Sequence, residues 1–327
     1  MLAITAFHAA ATPFFAYVTY TNTFKVCPVK LLPSPSLDTC SIRNLSFKTT
    51  DTMIYDLKYD NFHSQLVALY ENKRNAKPYV ALCPVAQDGT AGVSTCTSIT
   101  SLPSLPTAAI IKSIATRTYV DGSYLYVLAK NGQDNQIYAC TLGEKKITAC
   151  TAVTGITAVD EPDLEKISTS GEYAAVLLKG NALKKTQELQ LFKMTNYHAW
   201  TRLKNKDEIA NTQILSLTNQ NDNVYTYTTN TSNKVYSFDA YLNTATSGFV
   251  KVEPQAVGNT AKPEDGLNMT SIATDDEGEI LLIAVANENT INFLTWDTHD
   301  NSNTNTYEHS VDEINPSTIT LMNPDDE

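Results

Sequence analysis

Residues 139–153 read ACTLGEKKITACTAV, and two earlier stretches have the same form: VCPVKLLPSPSLDTCSI at 26–42 and LCPVAQDGTAGVSTCTSI at 82–99. Each stretch is typical of a strand, a turn and a second strand, which places its two cysteines opposite each other on adjacent antiparallel strands. Zinc sites need closer cysteine pairs than these. Among the pairings that six cysteines allow, the spacing favours three hairpin disulfides: Cys27–Cys40, Cys83–Cys96 and Cys140–Cys150.

Disulfides of this kind indicate an oxidising compartment, so we expect an extracellular, cell-surface or periplasmic location. Three N-glycosylation sequons agree with that compartment, although a chain rich in Asn and Thr produces such triplets by chance. The acceptor residues are Asn44, Asn230 and Asn268.

The strand that carries the first cysteine of each pair recurs three more times along the chain. The six copies read FKVCPV, YVALCPV, IYACTL, LQLFKM, KVYSFDA and NFLTWDT, and the cysteine position becomes Phe192, Phe238 and Trp296 in the last three. Copies are 56, 57, 52, 46 and 58 residues apart. Self-similarity at such a period is the signature of a repeat architecture.

A hairpin precedes each recurring strand from the second copy onwards. Its turn contains the Gly, Asn or Asp residues that tight turns require, at 60–61, 121–122, 170–171, 221–222 and 277–278. Each repeat therefore holds four strands in about fifty residues, which is the size of a β-propeller blade.

The repeats predict an all-β fold, a single β-propeller of about six four-stranded blades over residues 13–327. The N-terminal segment supplies only three strands, so its missing strand is assigned to residues 316–322, and this sharing closes the ring. A count of seven blades stays open. The expected blades span 13–50 with 316–322, 51–105, 106–158, 159–210, 211–262 and 263–312.

In its strands, the chain resembles the six-bladed β-propeller superfamily, and secreted lactonase-like or NHL-like propellers in particular. Degenerate strands of the G-x-Leu-x-Val-Ala kind carry this resemblance, whereas the WD, kelch and sialidase signatures are absent from the sequence. The resemblance implies a rigid ring with two loop faces. In lactonase-like members, it also implies a metal held in the central channel by single residues from several blades.

The ends of the chain and its charge limit the choice of partner. Residues 1–12 are apolar and are interpreted as a signal remnant or a non-core segment, and we expect no transmembrane segment. The net charge is −11, with +4 on residues 1–159 and −15 on residues 160–327. Such a chain repels phosphate backbones, which argues against nucleic acid and allows a basic partner.

No local catalytic motif appears in the sequence. The strongest metal candidate is a Ca²⁺ site in the stretch WDTHDNSN, where several oxygen ligands lie close together in sequence. Its ligands would be Asp297, Asp300, Asn301 and Asn303. A polar hairpin turn explains the same residues. We therefore predict no cofactor.

The tyrosine pairs 124/126 and 225/227 each lie on one strand face and are assigned to packing between blades, with an aromatic binding surface as the alternative.

These observations favour a binding or adhesion propeller that recognises a protein or glycan partner and is not an enzyme. The alternatives are a lactonase-like hydrolase with a divalent cation in the central channel and a structural subunit of an extracellular assembly. The sequence leaves the oligomeric state open.

Overall fold

A computed structural model describes most of the chain between residues 14 and 322. The described residues are 14–20, 24–30, 36–37, 39–43, 45–47, 49, 51–75, 77–86, 95–156, 163–179, 186–203, 207–210, 212–220, 222–230, 236–244, 248–256, 270–274, 280–287, 290–297, 302–310 and 316–322. Most of the described side chains belong to residues 39–251. The predicted signal remnant at 1–12 lies outside the described residues.

The described residues form 26 strands, and regular helices are absent from this part of the chain. The strands are β1 (Phe14–Tyr20), β2 (Phe24–Lys30), β3 (Ser36–Leu37), β4 (Ser41–Arg43), β5 (Thr52–Asp60), β6 (Gln65–Asn72), β7 (Lys77–Pro84), β8 (Thr97–Ile99), β9 (Ile110–Tyr119), β10 (Gly122–Asn131), β11 (Asp134–Gly143), β12 (Lys146–Ala152), β13 (Leu164–Ser170), β14 (Tyr173–Leu178), β15 (Thr186–Met194), β16 (Trp200–Arg202), β17 (Asp207–Ala210), β18 (Thr212–Gln220), β19 (Asn223–Asn230), β20 (Tyr236–Thr244), β21 (Gly248–Ala256), β22 (Thr270–Thr274), β23 (Ile280–Asn287), β24 (Thr290–Asp297), β25 (Ser302–Ser310) and β26 (Pro316–Met322). Among these residues, no helix has the length and apolar character needed to cross a membrane.

The strands pair antiparallel in six sheets, and five of these are meanders of consecutive strands. The meanders are β5–β8, β9–β12, β13–β16 with β17 also on β15, β18–β21 and β22–β25. In the sixth sheet, β26 pairs with β1, β1 pairs with β2, and β3 and β4 both pair with β2.

Where side chains are described, neighbouring sheets pack face to face, and strand β10 is an example. Leu125, Val127 and Ala129 pack against the sheet β5–β8. Tyr124, Tyr126 and Leu128 alternate with them and pack against the sheet β13–β16. Because successive side chains of a strand point to opposite faces, one strand contributes to two separate cores. This arrangement explains why second strands read as continuous apolar runs, since both of their faces are buried.

The packing establishes an all-β, propeller-like arrangement, as the sequence predicts. Four consecutive blades, β5–β8 to β18–β21, are seen where side chains are described, and their first strands β5, β9, β13 and β18 contact one another in series. This is fewer than the predicted six blades.

The three predicted disulfides are confirmed, and the Cys140–Cys150 bond joins the third strand of its sheet to the fourth. Cys140 and Cys150 are direct partners in the register of β11 and β12. The other two bonds, Cys83–Cys96 and Cys27–Cys40, join strands β7 and β2 to the residue that directly precedes strands β8 and β4. A disulfide at this place ties the last strand of the blade to its neighbour.

In the sheet β13–β16, two residues that are not covalently bonded occupy the position of the disulfide. Phe192 on β15 lies opposite Arg202 on β16, and the guanidinium carbon is 5.9 Å from the centroid of the phenyl ring. Phe238 lies opposite Gln255, and Trp296 lies opposite Asn303. The register therefore confirms the repeat alignment that the cysteine positions suggested.

Removing one of these bonds should destabilise the protein measurably. For the double variant Cys140→Ala/Cys150→Ala, we expect the free energy of unfolding to fall by about 2–3 kcal/mol, since the short loop is no longer closed in the unfolded chain. Urea denaturation under non-reducing conditions measures this change. Thr151→Ser, an exposed substitution next to Cys150, is the control. An unchanged denaturation midpoint in the double variant would contradict the prediction.

Candidate functional site

One irregularity recurs at the same place in four consecutive first strands. The register of each strand against its second strand skips one residue, which forms a β-bulge, in the segments Ile54–Leu57, Ile111–Ile114, Leu164–Ile167 and Ile214–Leu217. The first and last residues of each segment are apolar, and the bulged residues are Tyr55, Lys112, Glu165 and Leu215. A bulge bends the strand and redirects side chains, and bulges are common beside functional sites.

A cavity of about 210 Å³ lies at three of these bulges, between the sheet β5–β8 and strands β9 and β13. Its polar lining comes from three different first strands and from Glu71 of β6, and its apolar lining comes mainly from β6, β7 and the start of β9. The polar lining residues are Tyr55, Asp56, Glu71, Lys112, Ser113 and Lys166.

Asp56 is the most deeply buried charged group of this lining, with 3% of its surface exposed. Its Oδ1 atom accepts a hydrogen bond of 2.9 Å from the backbone N–H of Leu57 and lies 3.2 Å from the Lys58 Nζ atom. Its Oδ2 atom is buried and has no partner among the described residues. An unpaired buried carboxylate oxygen is costly, and a ligand hydroxyl that donates to it would remove that cost.

Lys166 is the amine of the cavity without a fixed partner. No hydrogen bond or ion pair joins its Nζ atom to another residue in the described ranges. Burial lowers the pKa of Lys166, the carboxylates of Asp56 and Glu165 raise it, and the ammonium groups of Lys58 and Lys112 lower it. The resulting pKa lies below the usual value for lysine, so the neutral amine is more accessible here than on a surface lysine.

Lys112 adds a second amine from the neighbouring strand. Its Nζ atom donates a hydrogen bond of 3.0 Å to the carbonyl oxygen of Leu164, which holds the side chain across from β9 to β13. Partial burial lowers the pKa of Lys112, Glu165 raises it, and the nearby charges of Lys130 and Lys179 lower it further. Several positive charges therefore gather at this end of the first strands, although the chain as a whole is acidic.

Ser113 and Tyr55 complete the site. The Ser113 Oγ atom accepts a 3.3 Å hydrogen bond from the backbone N–H of Ile167, and its small side chain leaves room for Lys166 on the next strand. The Tyr55 hydroxyl donates to Glu71 at 2.7 Å. Burial and the Glu71 carboxylate raise the pKa of Tyr55 to about 12, so this hydroxyl stays protonated at neutral pH. The cavity thus combines the two amines of Lys112 and Lys166, the two hydroxyl groups of Ser113 and Tyr55, and one unsatisfied carboxylate oxygen.

The residues singled out in the sequence lie elsewhere or remain untested. Asp297 ends β24 and Asn303 belongs to β25, so the proposed Ca²⁺ segment joins two paired strands, whereas Asp300 and Asn301 lie outside the described residues. Glycosylation residues Asn44 and Asn268 are likewise outside them, and Asn230 ends β19. Over the described ranges, no group of three or more His, Cys, Asp or Glu residues could hold a metal ion.

The assignment of the tyrosine pairs to packing holds where their side chains are described. Tyr126 and Tyr225 are 0% and 1% exposed, and Tyr124 is also buried. The Tyr126 ring contacts Trp200 of the next sheet, with 5.4 Å between ring centroids. Tyr124 and Tyr126 belong to the core between the sheets β9–β12 and β13–β16.

Sequence reasoning missed the cavity residues, although a signal was present. The segments IYDL, IKSI, LEKI and ILSL share two apolar ends around two variable positions, and Asp56, Lys112 and Lys166 all occupy those variable positions. An alignment of first strands, in addition to the cysteine strands, would have brought them together.

No protein-family model matches the sequence, and no match to a curated protein was found. Solved structures show the fold alone, since the sequence identities are low. The chain is similar to the periplasmic gluconolactonase PpgL of Pseudomonas aeruginosa, with a TM-score of 0.53, 14% identity and coverage of 95% of this chain and 99% of that chain.

Two further structures have the same general architecture. TolB from Acinetobacter baumannii has a TM-score of 0.53 and 15% identity over 94% of this chain and 66% of that chain. A protein from Lactobacillus plantarum has a TM-score of 0.50 and 10% identity over 96% of this chain and 86% of that chain. These likenesses support a β-propeller fold.

Replacing Asp56 by Asn should lower the pKa of Lys166. The Asp56 carboxylate raises that pKa, so its removal increases the neutral fraction of the amine at neutral pH, by tenfold for each unit of pKa. Competitive acetylation at a series of pH values, followed by peptide mapping, measures this change. The control is Lys193, whose pair with Glu172 at 3.2 Å is outside the cavity. If the pKa of Lys166 is the same in Asp56→Asn and in the unmodified protein, the Asp56 carboxylate does not raise that pKa and the prediction is wrong.

Proposed function

We propose that this chain is a secreted or periplasmic propeller that binds a small hydroxylated anion in the cavity between β5, β9 and β13. The observation that carries the proposal is the pairing of amines from two neighbouring first strands, Lys112 and Lys166, with the unsatisfied Oδ2 atom of Asp56. Amines attract a carboxylate or phosphate, and the carboxylate oxygen accepts a hydroxyl hydrogen bond. A sugar acid carries both groups.

Six blades in a closed ring are part of this proposal. Support comes from the sheet β22–β25 and from the sheet that joins both ends of the chain, in which Phe15 of β1 lies opposite Met322 of β26. The first strand β22 contacts β18 and β26, and β26 contacts β5. A closed ring removes open sheet edges and would hold the cavity strands in fixed positions.

The disulfide bonds of the protein support the secreted or periplasmic location in this proposal. Three disulfides and the absence of free cysteines among the described residues are typical of an oxidising compartment. The periplasmic gluconolactonase, a protein of similar fold, also belongs to such a compartment. A binding role keeps the functional class expected from the sequence, but it changes the expected ligand from a protein or glycan to a small acid.

Hydrolysis of a sugar lactone is the second candidate. The neutral form of Lys166 could take a proton from water as the water oxygen attacks the lactone carbonyl carbon. The protonated amine could then return this proton to the ring oxygen as the ring C–O bond breaks, which leaves a carboxyl group and a hydroxyl group. The name of the Pseudomonas structure makes this reaction worth assaying. The rate of acid release from glucono-δ-lactone, measured with and without a chelator, tests this candidate. A rate that the chelator does not change indicates the reaction that uses Lys166, and loss of activity indicates hydrolysis with a divalent cation.

Binding of sodium gluconate, measured by isothermal titration calorimetry, tests the main proposal. We expect Lys166→Met and Lys112→Met each to weaken binding about tenfold, since a charge-assisted hydrogen bond contributes roughly 1.5–3 kcal/mol. Added salt should weaken binding in the unmodified protein. The matched control variant is Lys193→Met, and the matched control ligand is sorbitol, a neutral polyol. Equal affinity for gluconate and sorbitol, or full binding by Lys166→Met, would contradict the proposal.

A further inference from the structure

The lysine side chains of the described residues differ in whether their Nζ atom has an ion-pair or hydrogen-bond partner. Lys58 is paired with Asp56, Lys193 with Glu172, and Lys251 with Asp239 at 2.7 Å. Lys112 donates to a backbone carbonyl oxygen. Lys166 has none of these attachments within the described residues, although it lines a cavity and is partly buried. Its lone pair, once the amine is neutral, is not held by a neighbouring group.

The surroundings of Lys166 favour that neutral amine. An amine becomes an effective nucleophile when it is desolvated or placed beside another cation. Both conditions hold for Lys166, because burial and the charges of Lys58 and Lys112 disfavour its protonated form. The bulge at Glu165 directly precedes Lys166 in β13, so the strand changes direction where the amine enters the cavity.

We propose that Lys166 is a nucleophile that forms an imine with the carbonyl carbon of a small oxo acid bound in this cavity. The inference rests on the proposed function, because the same site must first bind the anionic end of the ligand. Lys112 supplies the charge for the carboxylate, as it would for a sugar acid.

The reaction balances without a further reagent. The lone pair of the neutral amine forms a C–N bond to the carbonyl carbon, and the carbonyl oxygen becomes a hydroxyl group. That oxygen then leaves as water with the two hydrogen atoms that the amine nitrogen gives up, and a C=N bond remains. The free Oδ2 atom of Asp56 can take a proton from the nitrogen and return it to the departing hydroxyl group.

Reductive trapping tests this inference with pyruvate as the probe. The intact protein is incubated with pyruvate and sodium cyanoborohydride near neutral pH, and adducts are counted by intact mass and located by peptide mapping. We expect one adduct per chain at Lys166, formed at least about tenfold faster than at Lys193, because the cavity holds the carbonyl carbon of the bound ligand beside the amine. Gluconate should compete with its formation.

Two variants serve as controls. Lys166→Arg keeps the positive charge but cannot form the imine, so it should lose the adduct. Lys193→Arg should keep the adduct. Should Lys166→Arg fail to fold, the peptide map and the gluconate competition in the unmodified protein decide the question alone.

The outcomes separate this inference from the proposed function. Gluconate binding without labelling at Lys166, or labelling spread evenly over exposed lysines, overturns the imine and leaves the anion site standing. Loss of both gluconate binding and labelling overturns both. Labelling at Lys166 that gluconate does not reduce supports the nucleophile and removes the shared anion site.

Discussion

Neighbouring first strands of this fold are joined by side chains, because each is the inner edge of its own sheet and has no backbone ladder to the next. Thr116 on β9 donates its hydroxyl to the carbonyl oxygen of Tyr59 at 2.9 Å, and Thr169 on β13 donates to the carbonyl oxygen of Thr116 at 3.0 Å. Exposed strand edges carry unpaired polar groups that need such partners. These hydroxyl bridges set the spacing of the strands from which the cavity is built.

The same edge explains why charged groups can gather in the interior. The bulges interrupt the regular ladder in four first strands, and at three of them polar residues replace the apolar side chains that fill the cores. Apolar packing on both faces of the second strands offsets the cost of keeping Asp56 and its neighbouring lysines away from bulk water. The apolar cores therefore lie in the middle of each of these sheets, and the polar cavity lies at the edge formed by the first strands.

The cysteine spacing was sufficient to predict the disulfides, the four-stranded repeat and the fold class, because each of these depends on local hairpins. The cavity was not predicted, since Asp56, Lys112 and Lys166 are more than fifty positions apart along the chain and meet only when the blades are placed side by side. Glu165, the bulged residue of β13, belongs to an acidic stretch whose sequence gives no sign of a bulge. A bulge leaves no simple period in the sequence, so its position had to come from the register.

The pair formed by Phe192 and Arg202 shows that one position in the blade accepts either a covalent or a non-covalent cross-link. The architecture thus requires contact between the last two strands but does not prescribe the bond that makes it. Such a repeat can therefore use a disulfide in one sheet and a contact between a ring and a guanidinium group in the next. A reductant would then break the link between the last two strands in the sheets that contain cystine and leave the contact in the sheet β13–β16 unchanged.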